Sequence, residues 1–306
     1  MTSVLDLFCG AGGFSYGFAK RGFDVTGVDK LDEAGETFLK NKLGKFENLD
    51  LSKEKVRGNY DIIIGGPPCR PWSSVNLTRR KKNHQDYNLV SRYFWHVENN
   101  LPKIFLFENV PQVKNDNTLN LHMKKLSSKK FGYSIAKRII NYNDYGASTK
   151  RKRLIMCGVR DGVEINPLDS LGKETYGQNI TVEDAIGYLR NVEFGGRPDH
   201  DWPNLKTINR YMKYYKTGKF GWYILKWNEP APSFGNIMKT YILHPDSRVR
   251  KNKRVISVKE TLMIMGYPKG FNFVKGIGIA TRYQMAVDSV SPMFSNIVAK
   301  TIKYTL

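Results

Sequence analysis

The chain has 306 residues, 41% of them hydrophobic and 25% charged, a composition that suits a folded globular protein and argues against a disordered one. Its length allows one large or two small domains. No run approaches the roughly 18 apolar residues of a membrane helix, no basic stretch precedes an apolar core at the N-terminus, and three cysteines (Cys9, Cys69, Cys157) cannot form a disulfide framework. A reducing compartment, the cytoplasm, is expected. The net charge of +21 is the outlier. A surface this basic attracts polyanions, nucleic acid first among them, although a merely lysine-rich, solvated face would give the same sum.

In chain order, Val4 to Phe8 is a short apolar run ending in a glycine loop, and Phe14 and Phe18 then recur at helical spacing. Asp24 to Val28 reads as a second strand, and a further edge strand is expected before Asp50. Tyr60 to Ile64 is the next strand, stopped by Gly65-Gly66-Pro67-Pro68. Ile104 to Phe107, Ser134 to Ile140 and Leu154 to Val159 complete the set. Strands alternating with helices predict an α/β fold with a doubly wound, mostly parallel sheet, whose ligands bind beyond the carboxyl ends of the strands. From about residue 165 to 253 glycine, proline, asparagine and aromatics increase and the rhythm is lost, so residues 1–164 and 165–253 are expected to form separate domains. Residues 254–306 regain helical patterning, with helices at Glu260 to Met265 and Asn296 to Ile302, and are expected to return to the first domain.

Three constellations carry chemistry. Asp6-Leu7-Phe8-Cys9-Gly10-Ala11-Gly12-Gly13 lets a ligand approach bare backbone, and Asp29 at the next strand end suits ribose hydroxyls. A simple tight turn remains the competing reading. Gly65-Gly66-Pro67-Pro68-Cys69-Arg70-Pro71-Trp72-Ser73 frames one thiol with three prolines, more frame than a buried small hydrophobe needs. Glu108-Asn109-Val110 ends an apolar strand, where a carboxyl can hold its proton and act as an acid, or simply cap a turn.

In this order the three motifs resemble the DNA (cytosine-5)-methyltransferase family, in its prokaryotic restriction-modification form. The resemblance continues at Tyr145-Gly146, Arg151-x-Arg153, Glu260, Gly266-Tyr267-Pro268 and Ser289-Val290, and omits about residues 165 to 225. It implies a fold of the S-adenosylmethionine-dependent methyltransferase type. It also implies methyl transfer from S-adenosylmethionine to C5 of a flipped-out cytosine in a short duplex DNA sequence. Cys69 would attack C6, Glu108 would protonate N3, and Arg151 and Arg153 would hold the ring carbonyl and a phosphate. Asp6, Phe8, Gly10, Gly12, Gly13, Asp29, Asp50, Pro67 and Ser289 would bind the cofactor, with Asp50 on its adenine, and no metal is implied. Ser73, Arg79, Arg80, Arg197, Arg248 and Arg250 would contact DNA. Base readers are sought among Arg197, Asn204, Asn209, Arg210, Asn236 and Lys239, and the run from Arg248 to Arg254 is expected at phosphates. A prokaryotic or phage cytoplasmic monomer is implied, sharing its DNA site with a cognate restriction endonuclease without a stable complex.

Departures from the family pattern are Arg70, Trp72, Thr149, Val287-Asp288 and Lys259. The alternatives are transfer to tRNA cytosine, and a catalytically weak DNA-binding relative. His96-Val97-Glu98 matches one element of the zinc deaminases, but no Pro-Cys-x-x-Cys follows it.

Overall fold

The computed structural model describes residues 1–69, 86–171, 179–217, 222–249 and 253–306. The first half runs β1 (Ser3–Leu7), α1 (Gly13–Lys20), β2 (Asp24–Asp29), α2 (Asp32–Lys40), β3 (Lys45–Asn48), β4 (Ile62–Gly65), α3 (Leu89–Asn100), β5 (Ile104–Asn109), α4 (Asn117–Leu126) and β6 (Ser134–Asn141), then β7 (Thr149–Lys150) and β8 (Lys152–Val159). Seven strands form one sheet in the order β3-β2-β1-β4-β5-β8-β6, and β1 to β5 are parallel. β8 runs antiparallel to both its neighbours, β5 and β6. The two last strands read from the sequence are therefore one antiparallel pair closing the sheet, which a short connection permits and a parallel crossover does not.

Alternation splits the core into two layers. Val4, Ile62, Ile64, Ile104, Leu106, Ile155 and Cys157 face one side. Leu5, Leu7, Ile63, Phe105, Phe107, Leu154 and Met156 face the other, under Tyr93, Phe94 and Val97 of α3. All six residues of β5 are buried, as expected for a central strand covered on both faces.

The second half runs α5 (Pro167–Ser170), α6 (Val182–Ile186), α7 (Met212–Thr217), β9 (Ala231–Pro232), α8 (Val258–Ile264), α9 (Ile279–Asp288) and α10 (Pro292–Thr305). Helix α10 starts four residues before the expected Asn296, because Pro292 occupies its first turn, where the missing N–H costs nothing. Helix α8 starts at a Ser257/Glu260 capping box. Between α6 and α8, Trp202, Tyr215, Tyr223, Trp227 and Tyr241 pack on the first core layer. No helix among the described residues is long and apolar enough to cross a membrane.

Buried Glu260 organises this half. It accepts both guanidinium nitrogens of Arg254 at 2.8 Å and the Ser257 N–H at 2.7 Å. Burial alone would raise the Glu260 carboxyl, but the Arg254 hydrogen bonds outweigh it and hold the group below its ordinary value. Arg254 also lies 4.2 Å from the Trp202 ring centroid. Arg254 is thus a strut inside the fold, and the expectation that it meets phosphate is corrected: its fork is already filled by a carboxylate.

Helix α10 docks on α1 so closely that a Cβ on Gly17 would lie 2.2 Å from the Ser295 backbone. The Gly17 N–H donates to Ser295 Oγ at 3.0 Å. Gly17→Ala is expected to lower stability by about 1–3 kcal/mol, because packed helix backbones cannot yield as a side chain can. Gly270→Ala, where a Cβ meets open space, should stay within about 0.5 kcal/mol of wild type. Urea denaturation of the two variants checks the contrast.

Candidate active site

Parallel strands deliver their carboxyl ends to one rim, and the polar residues of the first core layer gather there. β1 ends in a loop whose backbone turns left-handed at Phe8 (φ 62°), Gly10 (φ 52°) and Gly12 (φ 88°). The Gly10 N–H donates to Asp29 Oδ2 at 2.9 Å, tying the ends of β1 and β2. A Cβ on Gly12 would strike Leu43 and Phe38, and one on Gly13 would strike Val290 and Ser289, whereas Gly10 faces open space. Ser289 Oγ donates to the Val290 carbonyl at 3.1 Å.

Asp6 lies wholly inside this cradle. Its Oδ2 accepts from Ser15 Oγ at 2.6 Å, and its buried Oδ1 has no partner. Burial pushes its carboxyl up to about 7, and burial likewise raises Asp29. Asp50 stands apart in character: it is partly exposed, accepts from Ser52 N and Oγ, and is held below its ordinary value by those hydrogen bonds. It follows β3 closely enough to stay near Asp29, whose carbonyl accepts from Leu49 N at 3.1 Å. An orphaned buried carboxylate oxygen, an open glycine and a second carboxyl together fit a ligand carrying an amine and ribose hydroxyls.

The other half of the rim is built by strand register. Glu108 in β5 stands opposite Ile155 in β8, so Arg153, two residues earlier, shares its face as a diagonal neighbour. Arg153 Nε reaches Glu108 Oε1 at 2.9 Å, with both side chains at or below 10% exposure. Tyr142 donates to the same oxygen at 3.4 Å. Burial raises the Glu108 carboxyl, opposed by Arg153 and Arg151. A Cβ on Gly66 would lie 2.8 Å from Glu108 Oε2. The loop after β4 therefore rests directly on the carboxylate, and Asn109 Nδ2 pins it by donating to the Pro67 carbonyl at 3.0 Å. Partly buried Cys69 follows. Burial raises its thiol, Arg153 and Arg151 lower it, and Asp288 and Glu108 raise it further.

Arg151 is placed differently from Arg153. Its terminal nitrogens donate to the carbonyls of Phe234, at 3.1 Å, and Val287, while Nε is buried without a partner. Burial pulls its guanidinium down to about 10. Thr149, a departure from the family pattern, is buried in the short ladder of β7 with β9 and donates to the Pro232 carbonyl at 3.3 Å.

The expected DNA-facing residues do not gather at one place. Ser73, Arg79, Arg80 and Arg250 lie outside the described residues, as do Arg70 and Trp72. Arg197 is exposed, and exposed Arg248 donates to the Ile224 carbonyl at 2.7 Å. Asn204 and Asn209 line a cleft of about 1320 Å³ with Lys206 and Lys253. Asn236 is already engaged: Nδ2 donates to Ala280 O and Gln284 Oε1, and Oδ1 accepts from Met238 N. His96 and Glu98 serve the core and surface, His96 accepting from Val56 N at 3.2 Å and Glu98 from Lys125 Nζ at 2.7 Å. Tyr142 was missed as a site-building residue, and Asn236, expected at base edges, is instead taken up within the fold. Each acts through a partner more than 30 residues away, which the sequence does not mark.

This arrangement is that of a group-transfer enzyme built on a cofactor-binding sheet. Comparison with known proteins gives the family. Residues 2–304 match the C-5 cytosine-specific DNA methylases, and the chain belongs to that family: it is a DNA cytosine-5 methyltransferase. It is 28% identical to the type II methyltransferase M.FnuDI of Fusobacterium nucleatum, covering 99% of this chain and 94% of that protein. It is 26% identical to M.NgoPII of Neisseria gonorrhoeae, covering 99% and 96%. A structure described as an E. coli prophage DNA modification methyltransferase superposes with a TM-score of 0.78 at 22% identity, covering 99% of both chains. A DNMT2 of Spodoptera frugiperda gives 0.72 at 17%, covering 100% and 99%. The family implies a DNA substrate and S-adenosylmethionine as cofactor.

The Asp6 carboxyl sets a pH dependence. Between its ordinary value and about 7 the unfolded chain ionises while the folded one keeps the proton, so stability falls as pH rises through that window. Asp6→Asn copies the neutral form. It is expected to remove this loss, making the variant relatively more stable at pH 8 than at pH 4. The ceiling is on the order of 4 kcal/mol at about 1.4 kcal/mol per pH unit of displacement. Urea unfolding at the two pH values measures it.

Proposed function

We propose that this enzyme methylates one cytosine within a short duplex DNA sequence through a covalent Cys69–C6 adduct, as the modification partner of a restriction endonuclease. The observation that carries the reading is the convergence of Cys69, Glu108 and Arg153 at one end of the sheet, beside the glycine cradle.

C5 of cytosine is a weak nucleophile, and addition of the Cys69 thiolate to C6 makes it electron-rich. Charge then accumulates on the ring at N3, where a buried carboxyl with a raised proton affinity is suited to donate. Glu108 takes that part. Arg153 sits beside both groups, easing thiolate formation and holding the carboxylate that remains after N3 is protonated. Arg151, committed to the Phe234 and Val287 carbonyls, acts as a positioning residue that fixes the walls of the site. Loss of the C5 proton returns an electron pair to the ring and expels Cys69. S-adenosylmethionine, when bound, supplies an electrophilic methyl group. Asp6, Phe8, Gly10, Gly12, Gly13, Asp29, Asp50, Pro67 and Ser289 would hold it, with Asp6 offering its unpartnered oxygen and Asp29 facing the ribose.

Attack at C6 and transfer to C5 need the face of the ring, which stacking covers in a duplex, so the cytosine is flipped out, at a cost of a few kcal/mol. Residues 165–253 act as the sequence-reading domain, with 1–164 catalytic and 254–306 completing it. Arg197, Asn204 and Asn209 are exposed and free to approach base edges. Ser73, Arg79, Arg80, Arg248 and Arg250 contribute backbone contacts. The restriction-modification role rests on the type II methyltransferases to which the chain is similar.

Bisulfite sequencing of plasmid DNA from cells expressing the chain tests the reading. Protected cytosines in one recurring short sequence are expected. Their absence, with label entering tRNA from tritiated cofactor, would move the substrate to RNA. Cys69→Ala is expected to lower methyl transfer by about 10⁴-fold or more while cofactor binding survives, and retained turnover would remove the covalent mechanism. Binding to duplex DNA should weaken steeply with salt, about 10³-fold or more between roughly 50 and 200 mM if six or more phosphates are contacted.

A further inference from the structure

Two donors converge on one oxygen of Glu108 and leave the other to a different neighbour. Arg153 Nε lies 2.9 Å from Oε1, and the Tyr142 hydroxyl donates to the same Oε1 at 3.4 Å. Among the described residues, the side-chain partners of this carboxylate all fall on Oε1. Oε2 is turned toward the loop after β4, since a Cβ on Gly66 would lie 2.8 Å from it. That loop carries Cys69 three residues further on.

The β6–β8 hairpin builds this convergence. Ile140 in β6 stands opposite Arg153 in β8, and two residues later the chain reaches Tyr142, where a turn of 3₁₀-helix begins. The Tyr142 N–H donates to the Arg151 carbonyl at 3.0 Å, and its own carbonyl accepts from the Ala147 N–H at 3.1 Å. The ring is fully buried and packs 5.9 Å from that of Phe294. Backbone and ring are thus fixed, and the hydroxyl has one direction to point. Burial lifts the phenol well above its ordinary value, so it keeps its proton and stays a donor.

An oxygen that faces a guanidinium is the poorer place for a proton: the cation repels it and has no lone pair to accept it. We propose that Tyr142 is a positioning residue for the reaction: with Arg153 it holds Oε1 as the fixed, hydrogen-bonded oxygen of Glu108 and leaves Oε2, on the Gly66 side, to carry the proton to cytosine N3. The proposal rests on the assignment of Glu108 as the acid. As the O–H bond at Oε2 breaks and the N3–H bond forms, the electron pair stays on the carboxylate. The new charge spreads to Oε1, where two donors already stand, so no group has to turn as the proton leaves. At 3.4 Å Tyr142 is the weaker of the two donors, and its loss costs less than that of Arg153.

The test is the carbonyl stretching band of protonated Glu108, which requires neither cofactor nor DNA. It is read in mildly acidic deuterated buffer as an infrared difference, with and without Glu108→Gln. Tyr142→Phe keeps the ring against Phe294 and removes only the hydroxyl. With one donor gone from the carbonyl oxygen Oε1, the band is expected at higher wavenumber than in the wild type. In single-turnover transfer of labelled methyl to plasmid DNA, Tyr142→Phe should lower the rate at saturation by about 10-fold, the lower end for a hydrogen bond to a charged group. The half-saturating concentrations of DNA and cofactor should not change. A band at the wild-type position overturns the proposal. A moved band with an unchanged saturating rate, or a loss confined to weaker binding of DNA or cofactor, overturns the part given to Tyr142 in the reaction. Full turnover in Glu108→Gln is a separate result, which removes Glu108 as the acid and the proposal with it.

Discussion

The Glu108–Arg153 ion pair is the interaction on which the rest of the site depends. Both side chains are nearly dehydrated, and an unpaired charge at this depth would cost several kcal/mol. The two must therefore be made together, and only one sheet topology does so. Because β8 runs antiparallel to β5, residue 155 meets residue 108, and residue 153 lands on the same face beyond it. Had β8 been parallel, the arginine would have reached the opposite end of the sheet. Gly66 then matters for a simple reason: a Cβ there would lie 2.8 Å from the carboxylate and push it from its place, so a bare position lets the loop carrying Cys69 lie against Glu108 as it stands.

Burial acts in one direction on the acids of this rim. Asp6, Asp29, Glu108 and Cys69 are all displaced toward their neutral forms. For Glu108 burial strengthens the hold on a proton while the paired Arg153 opposes it, so the group lies between the two demands. For Cys69 it is a restraint, opposed by positive charge from Arg153 first and Arg151 second. The same arginine thus serves two groups with opposite needs, keeping a carboxylate tolerable and a thiolate accessible. Tyr142 and Asn109, both buried, hold the frame by donating to the Glu108 carboxylate and to the Pro67 carbonyl.

Most strands were legible because short apolar runs stopped by glycine or proline leave little choice. The motif residues at their ends were legible too, since a proline-framed thiol and a glutamate after a β-branched and aromatic run have few structural uses. Partners across the sheet were not. Arg254, Asn236 and Arg151 read as free polar residues suited to DNA or substrate, yet Arg254 is filled by Glu260, Asn236 by Ala280 and Gln284, and Arg151 by two carbonyls. A guanidinium or amide carries no mark of which acceptor it will meet when that acceptor lies tens of residues away.

The sequence by itself determined the doubly wound class, the order of the motifs and the residues from which chemistry is made, because alternation and turn chemistry are local properties of the chain. The tertiary structure alone decided that the last strand pair is antiparallel, that Arg153 meets Glu108, and that Arg151 is taken instead by the Phe234 and Val287 carbonyls. Those outcomes depend on register and on which polar groups are dehydrated together, and both are fixed only when distant segments pack.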